Sequence, residues 1–417
     1  MDTSNRILEA REKRYLRIID LKNRFRTIIS IKGNTPGKQK KHPLACFLVK
    51  LFTTSVRRQI DVECLYEFSD EDGYYLIMGT DADPEVVKSK MIKLEDNHQL
   101  GRLIDLDVYE KSGKISRQTL RSCLVCGEKA FDCIRNNRHN PEEVFDAFCG
   151  PIAIYMESMI KRLIRASVMD ELDLEPKFGL VSKSNSGSHS DMDYALMVKA
   201  YEAIENDLYR IYLKGFNAKS IDGLLAEIRP IGIEAETKML DATGKINAYR
   251  GLIFNLGIVL AASGWLLGGM RNEKDVFQTS AIIAKGITKE LGGKSLTFGE
   301  RAFASHGFRG ARGEAESGYP HVKKALTKLD DFSWESKIST LIDLIVSIED
   351  TVFLKRSGSL SAYKKHQALF KKIKRPDLKK IESLTKYSIK HNLSFGGSAD
   401  LLIVACFIKR LKGEIMI

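Results

Sequence analysis

Around residue 148 the apolar residues of this chain change their rhythm. Before that point, short runs switch between strand and helix signals; after it, strand signals fade and helical spacing holds to the end. Asn140-Pro141-Glu142-Glu143 reads as a helix cap and first turn at the junction. Beyond it, Ile152, Met156, Met159, Ile160 and Leu163 form one apolar stripe, and Ile338, Leu341, Ile342 and Ile345 form another. The expectation is a multidomain protein, α+β over residues 1–148 and all-α over residues 149–417, each part long enough for its own core.

In the first part, residues 5–24 read as a charged helix with Leu8, Tyr15, Ile18 and Ile19 on its apolar side. Residues 26–31 suit a strand, residues 42–55 a helix with Pro43 in its first turn, and residues 84–96 another helix. Residues 60–68 and 74–78 form a hairpin about Asp70-Glu71-Asp72-Gly73. Within Gly101-Arg102-Leu103-Ile104-Asp105-Leu106-Asp107-Val108-Tyr109, strand alternation turns Ile104, Leu106 and Val108 inward and sets Asp105 and Asp107 side by side. Adjacent carboxylates repel unless a cation lies between them, and magnesium carrying phosphate oxygens fits; a solvated strand face is the plainer alternative. Cys123, Cys126, Cys133 and His139 follow as C-x2-C-x6-C-x5-H, four ligands that could close a structural zinc site in a subdomain spanning 121–140. Reduced cysteines packing a small subdomain would leave the same pattern.

Composition narrows the class. Hydrophobic content of 43% and charged content of 29% belong to a globular protein, and the net charge of +12 points to an anionic partner: nucleic acid, a phosphorylated small molecule or an acidic carrier protein. The N-terminus is polar from Asp2 onward, with no signal-peptide pattern. Seven irregularly spread cysteines argue for reduced thiols in a cytosol. Residues 252–267 are nearly all apolar but fall short of the ~20 a membrane span needs. Asn255, Gly257, Ser263 and Gly264 interrupt them, so a buried helix is expected.

The second part holds a donor-rich loop over residues 177–193, closed by Asp191 and Asp193. A helix follows, with Met197, Tyr201, Ile204, Leu208 and Ile211 as its stripe and Gly215 placed to end it. A metal-bound polyphosphate would satisfy both the helix start and the carboxylates; a capping Asp on an ordinary surface loop is the alternative. Further polar connectors carry reactive groups: Arg229-Pro230-Ile231-Gly232, Thr243-Gly244-Lys245, Asn247 to Gly251, Gly299-Glu300-Arg301, Gly310-Ala311-Arg312-Gly313-Glu314, Asp350-Thr351, Lys355-Arg356 and Asn392 to Asp400. Glycine admits close approach and arginine matches phosphate, so these loops are expected to converge on a polyanion. Gly292-Gly293-Lys294-Ser295 imitates the end of a P-loop, but Thr288 occupies the required first glycine.

At these motifs the chain resembles a fusion of two enzyme families. Residues 1 to about 148 resemble apo-citrate lyase phosphoribosyl-dephospho-CoA transferase, through Ala10-Arg11-Glu12, Asn34 to Lys38, Leu100 to Val108, Ser116-Arg117 and the Cys123–His139 array; Gln99 stands where proline is usual. Residues from about 150 to 417 resemble triphosphoribosyl-dephospho-CoA synthase, through Gly179-Leu180-Val181, Asn185, Gly187, His189, Asp191-Met192-Asp193, Thr243-Gly244, Asn247, residues 310–314, Gly318-Tyr319-Pro320 and residues 392–402. There Phe178 and Phe395 replace prolines, Ser182 an aspartate, Tyr249-Arg250 a His-Lys pair, and Val352 and Lys355 an asparagine and a histidine.

The resemblance implies a nucleotidyltransferase-like first domain and two sequential reactions in the cytoplasm. ATP and dephospho-CoA would give triphosphoribosyl-dephospho-CoA and adenine; a serine of the acyl carrier (gamma) subunit of citrate lyase would then take phosphoribosyl-dephospho-CoA, releasing pyrophosphate. It implies magnesium on Asp105 and Asp107 and on Asp191 and Asp193, with Glu314 and Asp400 as further catalytic candidates. Phosphates would be held by Arg102, Lys245, Arg250, Arg301, Arg312 and Arg356. The substrate loops would be Gly179, Asn185, Gly187, His189, Asn247, Gly313, Asn392, Gly396, Gly397 and Ser398. Related proteins serve malonate decarboxylase, but the Cys/His array and the Gly-Arg-Leu-Ile-Asp-Leu-Asp context favour the citrate lyase branch. A basic zinc-containing nucleic-acid-binding protein is the alternative from another class; against it, aromatic-basic interleaving is missing, and neither nucleic acid nor membrane is an expected partner.

Overall fold

The computed structural model describes residues 3–37, 39–117, 121–271, 274–292 and 297–417. Lys38 of the resemblance and Gly293, Lys294 and Ser295 of the P-loop imitation lie outside them. The chain divides into two compact units: Met1–Met159 with Leu267–Asn272 and Lys412–Ile417, and Ile160–Leu266 with Glu273–Leu411.

The first unit contains α1 (Thr3–Lys22), β1 (Thr27–Gly33), α2 (Pro43–Arg57), β2 (Cys64–Asp70), β3 (Gly73–Thr80), α3 (Pro84–Asn97), β4 (Ile104–Glu110), β5 (Gly113–Ile115) and α4 (Ala130–Arg135). The strands form one antiparallel sheet in the order β2-β3-β1-β4-β5. Ile29 and Ile31 of β1 and Ile104, Leu106 and Val108 of β4 are buried, as the alternation requires. α2 packs on β1 and β3, and α3 on β4. Asp83 caps α3 and Pro84 opens it, so its start is written in the sequence.

α1 covers the other face of the sheet, and here the expected apolar side is corrected. Leu8, Tyr15 and Ile19 are exposed; Ala10, Ile18 and Leu21 are buried. The sheet face explains it. Ile28, Ile77 and Tyr109 make one end of that face apolar and receive Ile18 and Leu21. The other end presents Ser30, Lys32, Asp105 and Asp107, so the same stripe of α1 must carry Arg11 and Arg14 there.

The second unit is mostly helical. α5 (Pro141–Leu172), which begins in the first unit, leads to α6 (Tyr194–Asn217), α7 (Leu224–Ala242) and α8 (Arg250–Leu267). Then come α9 (Val276–Ile283), α10 (Phe298–His306), α11 (Gly310–Glu316), α12 (Pro320–Ala325), α13 (Trp334–Ser347), α14 (Thr351–Ser357), α15 (Leu360–Lys371), α16 (Leu378–Lys390) and α17 (Gly396–Glu414). Among the described residues every β-strand lies between Thr27 and Ile115. The stripes on α5, α6 and α13 are buried as expected. α8 is the one described helix long and apolar enough to cross a membrane, and most of it is buried inside the protein.

Two local expectations fail here. Gly215 does not end a helix: it lies within α6, where a Cβ would collide with the Ala261 carbonyl of α8. It lets two helices touch backbone to backbone. Arg229 to Gly232 is no connector either, since α7 runs through it with Pro230 inside the helix.

Candidate active sites

The polar end of the α1-covered sheet face is a pocket of about 260 Å³. Lys32 stands opposite Asp105, and Ser30 opposite Asp107, in the antiparallel register, so all four side chains leave the sheet on one face. Arg11 and Arg14 reach in from α1, and Lys40 from the loop before α2. Asp72, at the turn of the β2–β3 hairpin, is fully buried and binds Lys32 at 2.5 Å, Arg11 at 3.1 Å and Arg14. Burial opposes its charge, but hydrogen bonding and attraction from Lys32, then Arg14, hold the carboxyl below the usual range. Burial, reinforced by Arg14, draws the Lys32 ammonium down to about 8. Asp105 pairs with Arg121, which also binds Glu95 at 2.8 Å, while Asp107 pairs with Lys114 at 2.8 Å.

Arg102 does not line this pocket. Its Nε donates to the Ser122 carbonyl at 2.8 Å and so braces the start of the Cys/His array. In that array the ligand atoms of Cys123, Cys126, Cys133 and His139 all lie within 4.8 Å of one another. Cys126 Sγ is 3.4 Å from Cys133 Sγ and 3.3 Å from His139 Nε2. The donor set and its spacing fit a closed tetrahedral Zn²⁺ site. All six cysteines whose side chains are described are free thiols.

In the helical unit, a cavity of about 320 Å³ gathers residues from α8, α11, α12, α14 and α17. Glu314 of α11 is buried and accepts from the His321 backbone N–H at 3.1 Å and pairs with its Nδ1 at 2.7 Å. The hydrogen bond to Glu314 raises the His321 pKa above its usual value against the opposing effect of burial. Asp350 caps α14: Oδ1 accepts from the backbone of Val352 and Phe353, and Oδ2 from the Ser398 N–H and hydroxyl at 2.9 Å each. Burial still raises its pKa.

Asp400 of α17 faces the cavity, and among the described residues nothing hydrogen-bonds its carboxyl. Burial, then Asp350 and Glu171, push its pKa far above the carboxylate range. Gly251 is the price of that position, since a Cβ there would collide with Asp400 Oδ2. Asn255 also lines the cavity with a buried Oδ1 that has no partner among the described residues.

The loop over residues 177–193 meets this cavity through α14 and the segment before α17. Gly179 and Gly187 both take positive φ, and Asn185 Oδ1 accepts from the Gly187 N–H at 2.6 Å. His189 Nε2 lies 2.9 Å from Ser394 Oγ, and its Nδ1 lies 3.2 Å from Arg356. Burial, then Arg356, lower its pKa, so the ring is neutral and accepts from the guanidinium. Arg356 also donates to Asn392 Oδ1 at 2.7 Å. Asp193 caps α6 through the Leu196 N–H at 2.8 Å, and Asp191 is exposed, 3.9 Å from His189 Nδ1. Thr351 and Val352 line the cavity; Arg356 holds the loop roughly 6–8 Å further along the same helix.

Gly313, Glu314, Gly397, Ser398 and Asp400 are thus gathered in or against the cavity, and Gly396 packs against Val352 beside it. None of the five phosphate ligands expected in this unit is among its lining: Lys245 pairs with Asp241, Arg250 with Glu236, Arg312 lies 3.7 Å from Glu290, Arg301 is on the exposed side of α10, and Arg356 holds the 177–193 loop. Asn247 accepts from the Arg250 N–H near the start of α8. Asn255, Arg309, His321 and Glu349 line the cavity without having been singled out from the sequence; Arg309, His321 and Glu349 each adjoin a motif, residues 310–314, Gly318-Tyr319-Pro320 and Asp350-Thr351, whereas Asn255 had no such signal.

Comparison with known proteins gives the class, because both family models that match describe transferases. The family model for ATP:dephospho-CoA triphosphoribosyl transferase (CitG) matches residues 157–416, and that for apo-citrate lyase phosphoribosyl-dephospho-CoA transferase (CitX) matches residues 3–150. The chain is 30% identical to Protein CitXG of Leuconostoc mesenteroides subsp. cremoris, covering 93% of this chain and 92% of that one. It is 29% identical to Protein CitXG of Haemophilus influenzae, with coverage of 98% and 96%. It is also similar to the 2-(5''-triphosphoribosyl)-3'-dephosphocoenzyme-A synthase of Escherichia fergusonii, 31% identical over 61% of this chain and 92% of the relative. The chain belongs to the CitXG family, a CitX part followed by a CitG part. It is a bifunctional transferase that makes and attaches the citrate lyase prosthetic group.

Proposed function

We propose that the helical cavity joins ATP to dephospho-CoA with loss of adenine. The sheet pocket, a nucleotidyltransferase-like site, then passes phosphoribosyl-dephospho-CoA to a serine of the acyl carrier subunit with loss of pyrophosphate. The observation that carries the reading is the gathering of Gly313, Glu314, Gly397 and Asp400, from separate stretches of chain, around one cavity in the part matched by the CitG family.

In the first reaction the 2′-hydroxyl of dephospho-CoA attacks the anomeric carbon of the ATP ribose as the bond to adenine breaks. Departing adenine needs a proton, and the Asp400 carboxyl, its pKa raised by burial and by Asp350 and Glu171, is the acid placed to supply it. His321, oriented by Glu314, takes the proton that the attacking hydroxyl gives up. Arg309 and Arg356 supply cationic charge for the triphosphate, Arg356 through the loop it already holds. Asp191 and the free oxygen of Asp193 are oxygen donors open to solvent, a set that suits Mg²⁺.

In the second reaction Arg11, Arg14, Lys32 and Lys40 bind phosphate oxygens, and Asp105 and Asp107 hold Mg²⁺. A magnesium ion held there by Asp105 and Asp107 would supply charge neutralisation for the phosphate that is transferred. Lys32, its pKa drawn down to about 8, can in its neutral amine form accept the proton that the attacking serine hydroxyl gives up. Cys123, Cys126, Cys133 and His139 would hold a structural Zn²⁺, and the array they form carries the Ser122 carbonyl and Arg121 that brace Arg102 and Asp105 behind the pocket. The cytoplasm is the compartment where ATP, dephospho-CoA and reduced thiols coexist. The test is mass spectrometry of products from ATP, dephospho-CoA and apo-carrier protein. Adenine, pyrophosphate and a serine-modified carrier support the reading; ATP consumed without free adenine overturns it.

A further inference from the structure

The positive charge of this chain is concentrated in one place. Residues 351–391 hold twelve lysines and arginines against two acids, Asp377 and Glu382, a surplus of ten in a chain whose total is +12. The densest part, Lys371-Lys372-Ile373-Lys374-Arg375 with Lys379-Lys380, joins α15 to α16. Among the described residues, Lys372, Lys374, Arg375, Lys379 and Lys380 take part in no ion pair. They rim an open groove of about 830 Å³ whose floor is Leu369, Ile373 and Leu384.

The fold gains nothing from this arrangement. Like charges this close repel, and Lys379 and Lys380 occupy the first turn of α16, where the helix dipole favours acids. A cationic rim over an aliphatic floor matches an amphipathic helix with acidic flanks. Nucleic acid suits it less, because no aromatic ring lines the groove for bases to stack on.

We propose that this groove docks an acidic helix of the acyl carrier subunit, with its carboxylates on the lysine rim and its apolar side on Leu369, Ile373 and Leu384. The inference rests on the reading that an acyl carrier accepts the product of this chain. Docking would keep the acceptor tethered to the chain that makes its prosthetic group, raising its effective concentration.

The test uses full-length protein carrying Lys372→Glu, Lys374→Glu, Lys379→Glu and Lys380→Glu together. Fluorescence anisotropy follows labelled apo-carrier, and the KM for carrier is measured in the second transfer. We expect roughly tenfold or greater loss of affinity at low ionic strength, a matching rise in KM, and an unchanged kcat. Wild-type affinity should fall steeply with salt, and that dependence should flatten in the variant. Unchanged adenine release from ATP and dephospho-CoA reports an intact helical unit. Wild-type KM and affinity in the variant overturn the docking and leave the two-reaction reading standing. Carrier that binds the groove but is never modified does the reverse. Duplex oligonucleotide that binds tighter than carrier and displaces it overturns the proposal in favour of nucleic acid.

Discussion

The sheet pocket sets each of its carboxylates beside a cation: Asp72 beside Lys32, Arg11 and Arg14, Asp105 beside Arg121, Asp107 beside Lys114. The helical cavity instead sets Asp400 near Asp350 and Glu171, with burial as the dominant influence. The first arrangement surrounds acids with cationic groups and holds the Asp72 carboxyl below its usual range. The second raises the pKa of an acid and so favours its protonated form. One is suited to moving a phosphoryl centre, where charge must be neutralised, and the other to breaking a carbon–nitrogen bond, where a proton must be delivered.

Two substitutions break this comparison from opposite sides. Asp400→Asn should slow adenine release by roughly 10²–10⁴-fold, the usual contribution of a general acid, while transfer of preformed triphosphoribosyl-dephospho-CoA to carrier continues. A ribose triphosphate bearing a 4-nitrophenol leaving group needs no proton, so the variant should process it nearly as well as wild type. Equal slowing with both substrates would make Asp400 a structural residue. Asp107→Asn should do the opposite, cutting carrier modification by roughly 10²–10³-fold and leaving adenine release intact. Near-wild-type modification would remove magnesium from that strand.

A smaller effect sharpens the sheet side alone. Cys133→Ser removes one of the four clustered ligands, so zinc content after dialysis should fall from stoichiometric to background. Carrier modification should weaken because Arg102 and Arg121 lose their support, whereas adenine release should not change. Retained zinc in the variant, measured by elemental analysis, would mean that the thiols merely pack together.

The two regions also differ in how much of them the sequence disclosed. Alternation exposed Asp105 and Asp107 on one face because a strand has only two sides, and C-x2-C spacing exposed the Cys/His cluster. Lys32 stayed hidden, since it meets Asp105 only once the β1–β4 register is known. Asp72 read as a turn residue, and nothing local says that a turn can be buried against α1. In the helical region the stripes gave the helices but not their order in space, so Glu314 and Asp400 were visible as candidates while His321 and Asn255 were not. Arginines beside glycines misled for a physical reason. A long cationic side chain on an exposed helix finds a nearby acid, as Arg250 does with Glu236 and Lys245 with Asp241.

The gentlest test of the contrast is thermal. The Asp400 carboxyl has a folded pKa far above its ordinary 3.8, so over that interval the folded state holds a proton that the unfolded chain has released. Stability from this group is therefore fully present below the ordinary 3.8 and is lost as pH rises toward the folded pKa. Asn carries no such burden. Asp400→Asn should match wild type in acid, below the unfolded pKa, and melt higher than wild type by pH 8, read from the transition of the helical unit. The sheet pocket predicts the opposite sign: Asp72 has a lowered folded pKa, so its stabilisation is present above the unfolded value and fades as the solution is acidified through the folded one. Asp72→Asn should therefore cost most at neutral pH and least in acid. If both variants lost stability with the same pH dependence, the two carboxyls would share one state, and Asp400 would have no proton to give to departing adenine.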